Sequence, residues 1–194
     1  GLSLVRWQDD PQMSRELLER LVDEAVQQTR RAVATEGYFR PRIEARIDEQ
    51  TEPWTVRIEV DPGPRVIVRE VDLAFHGPAT EDPEAAPLLA NARANWSLAP
   101  GQPFRQEDWD ASKRNALTAL SSGRYAGARI RASEALIDPE ADSATLRVEI
   151  DSGPVFHFGE VKASGSRRSP ARIVENFSPM RRGEPYSAEK LAIY

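Results

Sequence analysis

VRIEVDPGP at residues 56–64 and LRVEIDSGP at residues 146–154 are one phrase written twice, ninety positions apart. In each copy, alternating apolar residues run into an Asp-x-Gly-Pro turn. Each follows a charged helical run, a Gly-aromatic break and a first alternating strand, and each leads into a further strand. A period of this length, with strand and helix inside it, predicts tandem small α+β modules rather than one enzyme core.

Working backward from the first copy, a helix is expected over residues 11–35. Asp10-Pro11 offers a cap followed by proline at the first helical position, and Ser14 is a competing cap. Leu18, Leu21, Val22, Ala25, Val26, Thr29, Ala32 and Val33 form its apolar stripe. Gly37 stops it, and Tyr38 and Phe39 turn back onto the core. Ile43, Ala45 and Ile47 alternate with charges, and Val56, Ile58 and Val60 do so on the next strand, so the two read as an antiparallel hairpin with one wet face.

Working forward, Asp61-Pro62-Gly63-Pro64 is a rigid turn, and Asp151-Ser152-Gly153-Pro154 repeats it. A strand over residues 66–75 slips in parity: Val66 and Val68 share one face, and Val71, Leu73 and Phe75 the other. Phe156 and Phe158, then Val161 and Ala163, slip at the same place, with Gly159 marking a bulge or a segment linking two neighbouring modules. A short helix opens at Asp82-Pro83, with a counterpart at Ser169-Pro170. Gly101-Gln102-Pro103-Phe104 leads into a longer helix with Trp109, Ala116, Leu117 and Leu120 inward. Gly183-Glu184-Pro185-Tyr186, with Ser187 as N-cap, echoes that lead-in. Gly123 and Tyr125 answer Gly37 and the aromatic pair after it. Ala128, Ile130 and Ala132, then Leu146, Val148 and Ile150, face inward on the next two strands.

One full unit therefore reads β-α-α-β-β over residues 65–154. Residues 1–64 read as a first unit lacking its opening strand and most of its first helix. Residues 155–194 read as the start of a third. Each complete unit is expected to be a three-stranded mixed sheet covered on one face by two helices.

Composition narrows function. In 194 residues, hydrophobic side chains are 40%, charged ones 29%, and mean hydropathy is -0.56, and with no long apolar run a membrane-spanning helix within these residues is excluded. A net charge of -5 argues against a broad nucleic-acid surface. Without cysteine there is no thiol catalysis and no disulfide scaffold. His76 and His157 lack the spacing of a catalytic or metal set and fit strand side chains better. Asp61 and Asp151 fit turn-side hydrogen bonding better than paired catalytic carboxylates. Neither an enzyme nor a cofactor is expected. Trp96, in the Asn95-Trp96-Ser97 loop, is the tryptophan best placed for exposure, with loop anchoring as the equal reading; Trp54 is a second surface candidate, and Trp109 fits the core. Arg30-Arg31, Arg167-Arg168 and Arg181-Arg182 are solvated by default, with membrane-surface contact as the alternative.

The unit order resembles the polypeptide-transport-associated (POTRA) domains that stand in tandem before outer-membrane β-barrels of the assembly-factor superfamily. Gly37-Tyr38-Phe39, Gly123-Arg124-Tyr125, Asp151-Ser152-Gly153-Pro154 and Phe158-Gly159-Glu160-Val161 with Gly165 carry the likeness. The long Arg- and Glu-rich helix ending in Gly37-Tyr38-Phe39-Arg40-Pro41 is similar to the start of TamA, the outer-membrane component of the translocation and assembly module. The resemblance implies a non-catalytic periplasmic extension of a C-terminal barrel. It also implies unfolded outer-membrane clients, and as partner TamB, the inner-membrane-anchored component of the same module. In such sheets the strands at 42–48 and 128–134 lie at edges. Arg42, Glu44, Arg46, Arg129 and Arg131 there are either part of a polypeptide-binding edge or guards against unwanted pairing. A rigid spacer without direct client contact is the rival reading. Gly37, Gly63, Gly123, Gly153 and Gly159 are expected at structural turns or bulges.

Overall fold

A computed structural model describes residues 13–50, 54–160 and 180–193. Two compact units emerge. The first holds the described residues up to Glu70, together with Pro100–Trp109 and Leu136–Thr145. The second holds Val71–Ala99, Asp110–Ala135 and the described residues from Leu146 onward.

In the first unit, α1 (Arg15–Thr35) is capped by Ser14, whose hydroxyl accepts from the Leu17 N–H at 3.2 Å. Asp10-Pro11, the expected cap, lies outside the described residues. Leu18, Leu21, Val22 and Ala25 are buried. Val26, Thr29 and Val33 are half-buried, and Ala32, expected inward, is exposed. The helix packs on β1 (Arg42–Asp48), which pairs antiparallel with β2 (Thr55–Asp61). A helix about 10–12 Å across meets a face only two strands wide, with strands about 5 Å apart, so the margins stay open. Val60, expected inward, is accordingly exposed.

The second unit contains a three-stranded sheet in the order β3-β5-β4, formed by β3 (Ile67–His76), β4 (Arg129–Asp138) and β5 (Ser143–Asp151). Residues 67–70, 136–138 and 143–145 of these strands group with the first unit. The architecture is α+β with a mixed sheet. Leu146, Val148 and Ile150 of central β5 are buried. Among the described residues β4 has a neighbour on one side only, and its alternation fails there: Ile130 is half-buried, whereas residues 131–134, including Ala132, are exposed. Two 3-10 turns, Pro78–Thr80 and Pro83–Ala85, precede α2 (Ala86–Ala94). α3 (Gln106–Ser121) buries Ser112, Ala116, Ala119 and Leu120. A short α4 (Ala188–Ala192) starts at its cap Ser187. The Ser169-Pro170 helix, Val161, Ala163, Gly165 and Arg167-Arg168 lie outside the described residues.

Leu117 is only half-buried, while Leu120, three residues on, is fully buried. Leu120→Ala is expected to cost about 2–5 kcal/mol in chemical denaturation, and Leu117→Ala clearly less. Equal losses would mean that burial does not set the cost here.

The parity slip in β3 has a local cause. Val66 and Val68 are buried, and this stretch makes a short ladder with residues 101–104. Val66 O accepts from Phe104 N–H, Val68 N–H donates to Gln102 O, and Gly101 N–H donates to Val68 O, all at 2.8 Å. Beyond Val68 the strand joins the β3-β5-β4 sheet, and Val71, Leu73 and Phe75 are half-buried.

Candidate functional site

The edges come first. β4 is an outer strand of its sheet, and β1 pairs only with β2 among the described residues. Arg42, Glu44 and Arg46 lie on the wet face of β1, opposite Asp61, Glu59 and Arg57 respectively. Two of these cross-strand pairs are like-charged, an arrangement that weakens a hairpin. Arg46 turns along its own strand to Glu44 at 3.0 Å, which eases both. On β4, Arg129 is exposed but tied to Asp151 at 3.0 Å. Arg131 is exposed and has no ion pair among the described residues.

The turns repeat in atomic detail. Gly63 N–H donates to Asp61 Oδ1 at 3.1 Å, and Gly153 N–H to Asp151 Oδ1 at 2.9 Å. Together with Arg129, that bond holds Asp151 below the usual carboxylate range. Both glycines have positive φ, +70° and +64°. A Cβ on Gly63 would come within 3.1 Å of the Arg40 carbonyl oxygen, and one on Gly153 equally close to that of Gly127. Gly37 has φ +92°. Gly123 sits in a turn, and Gly159 lies outside the strands, with open space about it.

A carboxylate hub in the second unit was not foreseen. Asp82 caps its 3-10 turn by accepting from Glu84 N–H at 2.9 Å. Its other oxygen accepts from the Tyr125 hydroxyl at 2.8 Å and from Arg124 at 3.0 Å. Arg124 also reaches Glu84 at 2.8 Å, which with Asp82 raises its pKa. The Tyr125 hydroxyl, the Glu84 amide and Arg124 hold Asp82 below the ordinary range. Burial, then the bond to Asp82, pushes Tyr125 up to about 12. The cap at Asp82 and the aromatic at Tyr125 were each readable. Nothing in their spacing announced that they meet.

Other candidates resolve quietly. His76 faces Glu149 at 3.5 Å, and His157 is an exposed residue bridged to Pro185. Among the described residues no cluster could hold a metal ion. Trp109 is buried, Trp54 is exposed, and Trp96 is half-buried, donating its indole N–H to Leu98 O at 2.8 Å, which anchors its loop. Arg30, Arg40 and Arg42 line an open groove of about 580 Å³ with Asp61. Arg40 is engaged by both Asp142 oxygens, at 2.8 and 2.9 Å, so little net positive charge remains.

Residues 1–62 match the family model for the first POTRA domain of TamA. The chain is also similar in structure to Haemophilus influenzae BamA POTRA3-5, with a TM-score of 0.50, 17% identity, and coverage of 88% of this chain and 65% of that one. Residues 1–62 are thus similar to a TamA-type POTRA domain, and the chain shares the fold of POTRA domains. It therefore spans about two thirds of the length of the Haemophilus influenzae chain. POTRA1-3 of the periplasmic domain of Omp85 from Anabaena aligns at 13% identity and a TM-score of 0.39, covering 93% of this chain and 68% of that one. No curated protein sequence matches the chain.

Proposed function

We propose that this chain is a periplasmic, non-catalytic POTRA region of an outer-membrane assembly or translocation factor, and that it engages extended polypeptides at sheet edges. The observation that carries this is the place of β4, at the outside of a three-stranded sheet with residues 131–134 all exposed. An edge strand presents unpaired N–H and C=O groups to any extended chain, with little demand on its sequence. Unfolded outer-membrane barrel proteins are the clients that such tolerance suits. We propose modules at residues 1–64, 65–154 and 155–194, in line with the β-α-α-β-β order of β3, α2, α3, β4 and β5. A C-terminal barrel and a TamB-like inner-membrane-anchored partner complete the reading, and the match of residues 1–62 to TamA supports that choice.

The second reading is a rigid spacer. The like-charged pairs Glu44–Glu59 and Arg46–Arg57 favour it at β1, because charge on an exposed hairpin deters strand addition.

Proline at consecutive positions of β4 separates the two. N–H groups alternate in direction along a strand, so Arg131→Pro and Ala132→Pro remove one free-edge donor and one ladder donor between them. The variant that retains wild-type stability is the edge variant. It is expected to crosslink about tenfold less to an unfolded barrel protein from a photoreactive group at Ser133. Undiminished crosslinking would leave the spacer.

A further inference from the structure

Two short ladders of one design occur, one inside each unit. In the first, Val66 N–H donates to Gly37 O at 2.9 Å, and residues 66–68 then pair with residues 101–104. In the second, Phe156 N–H donates to Arg124 O at 2.7 Å. There Tyr186 N–H donates to Phe156 O, Phe158 N–H to Glu184 O, and Gly183 N–H to Phe158 O, each at 2.8 Å. Isolated bridges centre both, Ile67 to Pro103 and His157 to Pro185. Each ladder clasps the segment after an Asp-x-Gly-Pro turn between a Gly-aromatic turn and a Gly-x-Pro-aromatic loop.

Both clasps carry aromatic packing, with Phe39 on Phe104 at 6.0 Å and Arg65 over the Tyr38 ring at 5.2 Å in the first, and the first adds a shared-carboxylate network. At the first, Glu36 carries two arginines: Arg105 at 3.0 Å from the loop and Arg65 at 3.6 Å from the clasped segment. Arg65 Nε also donates to the Glu36 backbone carbonyl at 2.9 Å, and Arg40 is held by Asp142. Glu36 therefore joins all three strands of the clasp. At the second, the corresponding positions are Ser122, Val155 and Ser187. A backbone bond, Ala188 N–H to Ser122 O at 2.9 Å, stands in for the ion pair. Phe156 lies close against Gly127, where a Cβ would come within 2.8 Å of its ring, and Phe158 meets Tyr186 at 5.5 Å. The pair Glu184–Lys190 ties that loop to α4, not to the clasped segment.

We infer that the Glu36 network is an ionic clasp that makes the junction between the first two modules more sensitive to salt than the ladder after the second module. The inference rests on the module reading proposed above. The groups involved are part-exposed, with 48% of the Glu36 side chain and 37% of the Arg105 side chain open to water, so screening reaches them. At about 1 M salt the screening length falls to about 3 Å, comparable to the pairs themselves. Exposed pairs contribute little singly, but two share one carboxylate here. The device makes the hydrogen bonding of the first ladder respond to ionic strength more than that of the second.

Amide exchange on the whole chain tests it. Between low salt and about 1 M, the amides of Val66, Val68 and Phe104 are expected to exchange about fivefold faster, with those of Phe156, Phe158 and Tyr186 changing clearly less. Glu36→Gln should reproduce the acceleration at low salt and abolish further salt response. Equal salt response at both ladders, or none at the first, would overturn the inference. Failure of a 65–154 fragment to fold cooperatively would instead remove the module reading on which it stands.

Discussion

Tyr125→Ala is expected to destabilise the second unit by about 3–5 kcal/mol, the range for removing a fully buried aromatic ring. Tyr125 is completely buried, and its hydroxyl completes the Asp82 hub. Tyr125→Phe keeps the ring and loses only the hydrogen bond, so it should lose much less. Chemical denaturation separates the two, and similar losses would show that the hydroxyl, not the ring, carries the site. The hub also has a pH signature on each side of neutrality. Asp82 titrates low in the folded chain, so its contribution is complete above the ordinary carboxylate range, near about 4, and fades as pH falls through the lowered value. The gap between wild type and Asp82→Asn should therefore close in acid. Tyr125 is raised to about 12 from the ordinary tyrosine value of 10.0. The unfolded chain releases this proton first, so stability should decline as pH climbs from the lower value to the upper. Tyr125→Phe should lack that decline and the late tyrosinate phase in absorbance.

What was legible in the sequence is what is decided locally. The Asp-x-Gly-Pro turns were readable because the aspartate bonds an amide two residues on, and both Asp61 and Asp151 do so. The stripe of α1 was readable where four residues meet a sheet, and became unreliable at Ala32, where cover by a two-stranded face runs out. Leu117 and Leu120 are both apolar on one helix, and only the packed partner decides which is covered. The Glu44–Glu59 and Arg46–Arg57 pairs depend on hairpin register, which the loop sets and composition does not reveal. The Asp82–Arg124–Tyr125 hub joins elements more than forty residues apart, so no local pattern encodes it. The edge place of β4 was expected only from the likeness to POTRA sheets, because which strand takes the centre is decided by long-range pairing, here with β5 between β3 and β4.

Gly37→Val should be the most damaging change in the first unit, at about 3 kcal/mol or more, because two separate penalties coincide. The first is conformational. With φ at +92°, Gly37 occupies backbone space that side chains with a Cβ rarely enter, least of all β-branched ones. The second is steric. A Cβ there would overlap the carbonyl oxygen of Phe104 and sit 3.4 Å from Cγ of Arg65. A backbone carbonyl cannot rotate away as a side chain can, so the 101–104 loop would have to move. That loop carries the ladder to Val66 and Val68, and Gly37 itself supplies the carbonyl that receives the Val66 amide. Gly101 is the matched control. Its φ is +89°, nearly the same, but no atom lies within 4 Å of the site of a Cβ. Gly101→Ala should therefore show the conformational cost alone, about 1–2 kcal/mol. Gly37→Ala should exceed it by the cost of displacing the Phe104 carbonyl. Denaturation of the two alanine variants side by side isolates that difference. Equal losses would mean that Gly37 is required for its backbone angle and not for the close approach that builds the clasp.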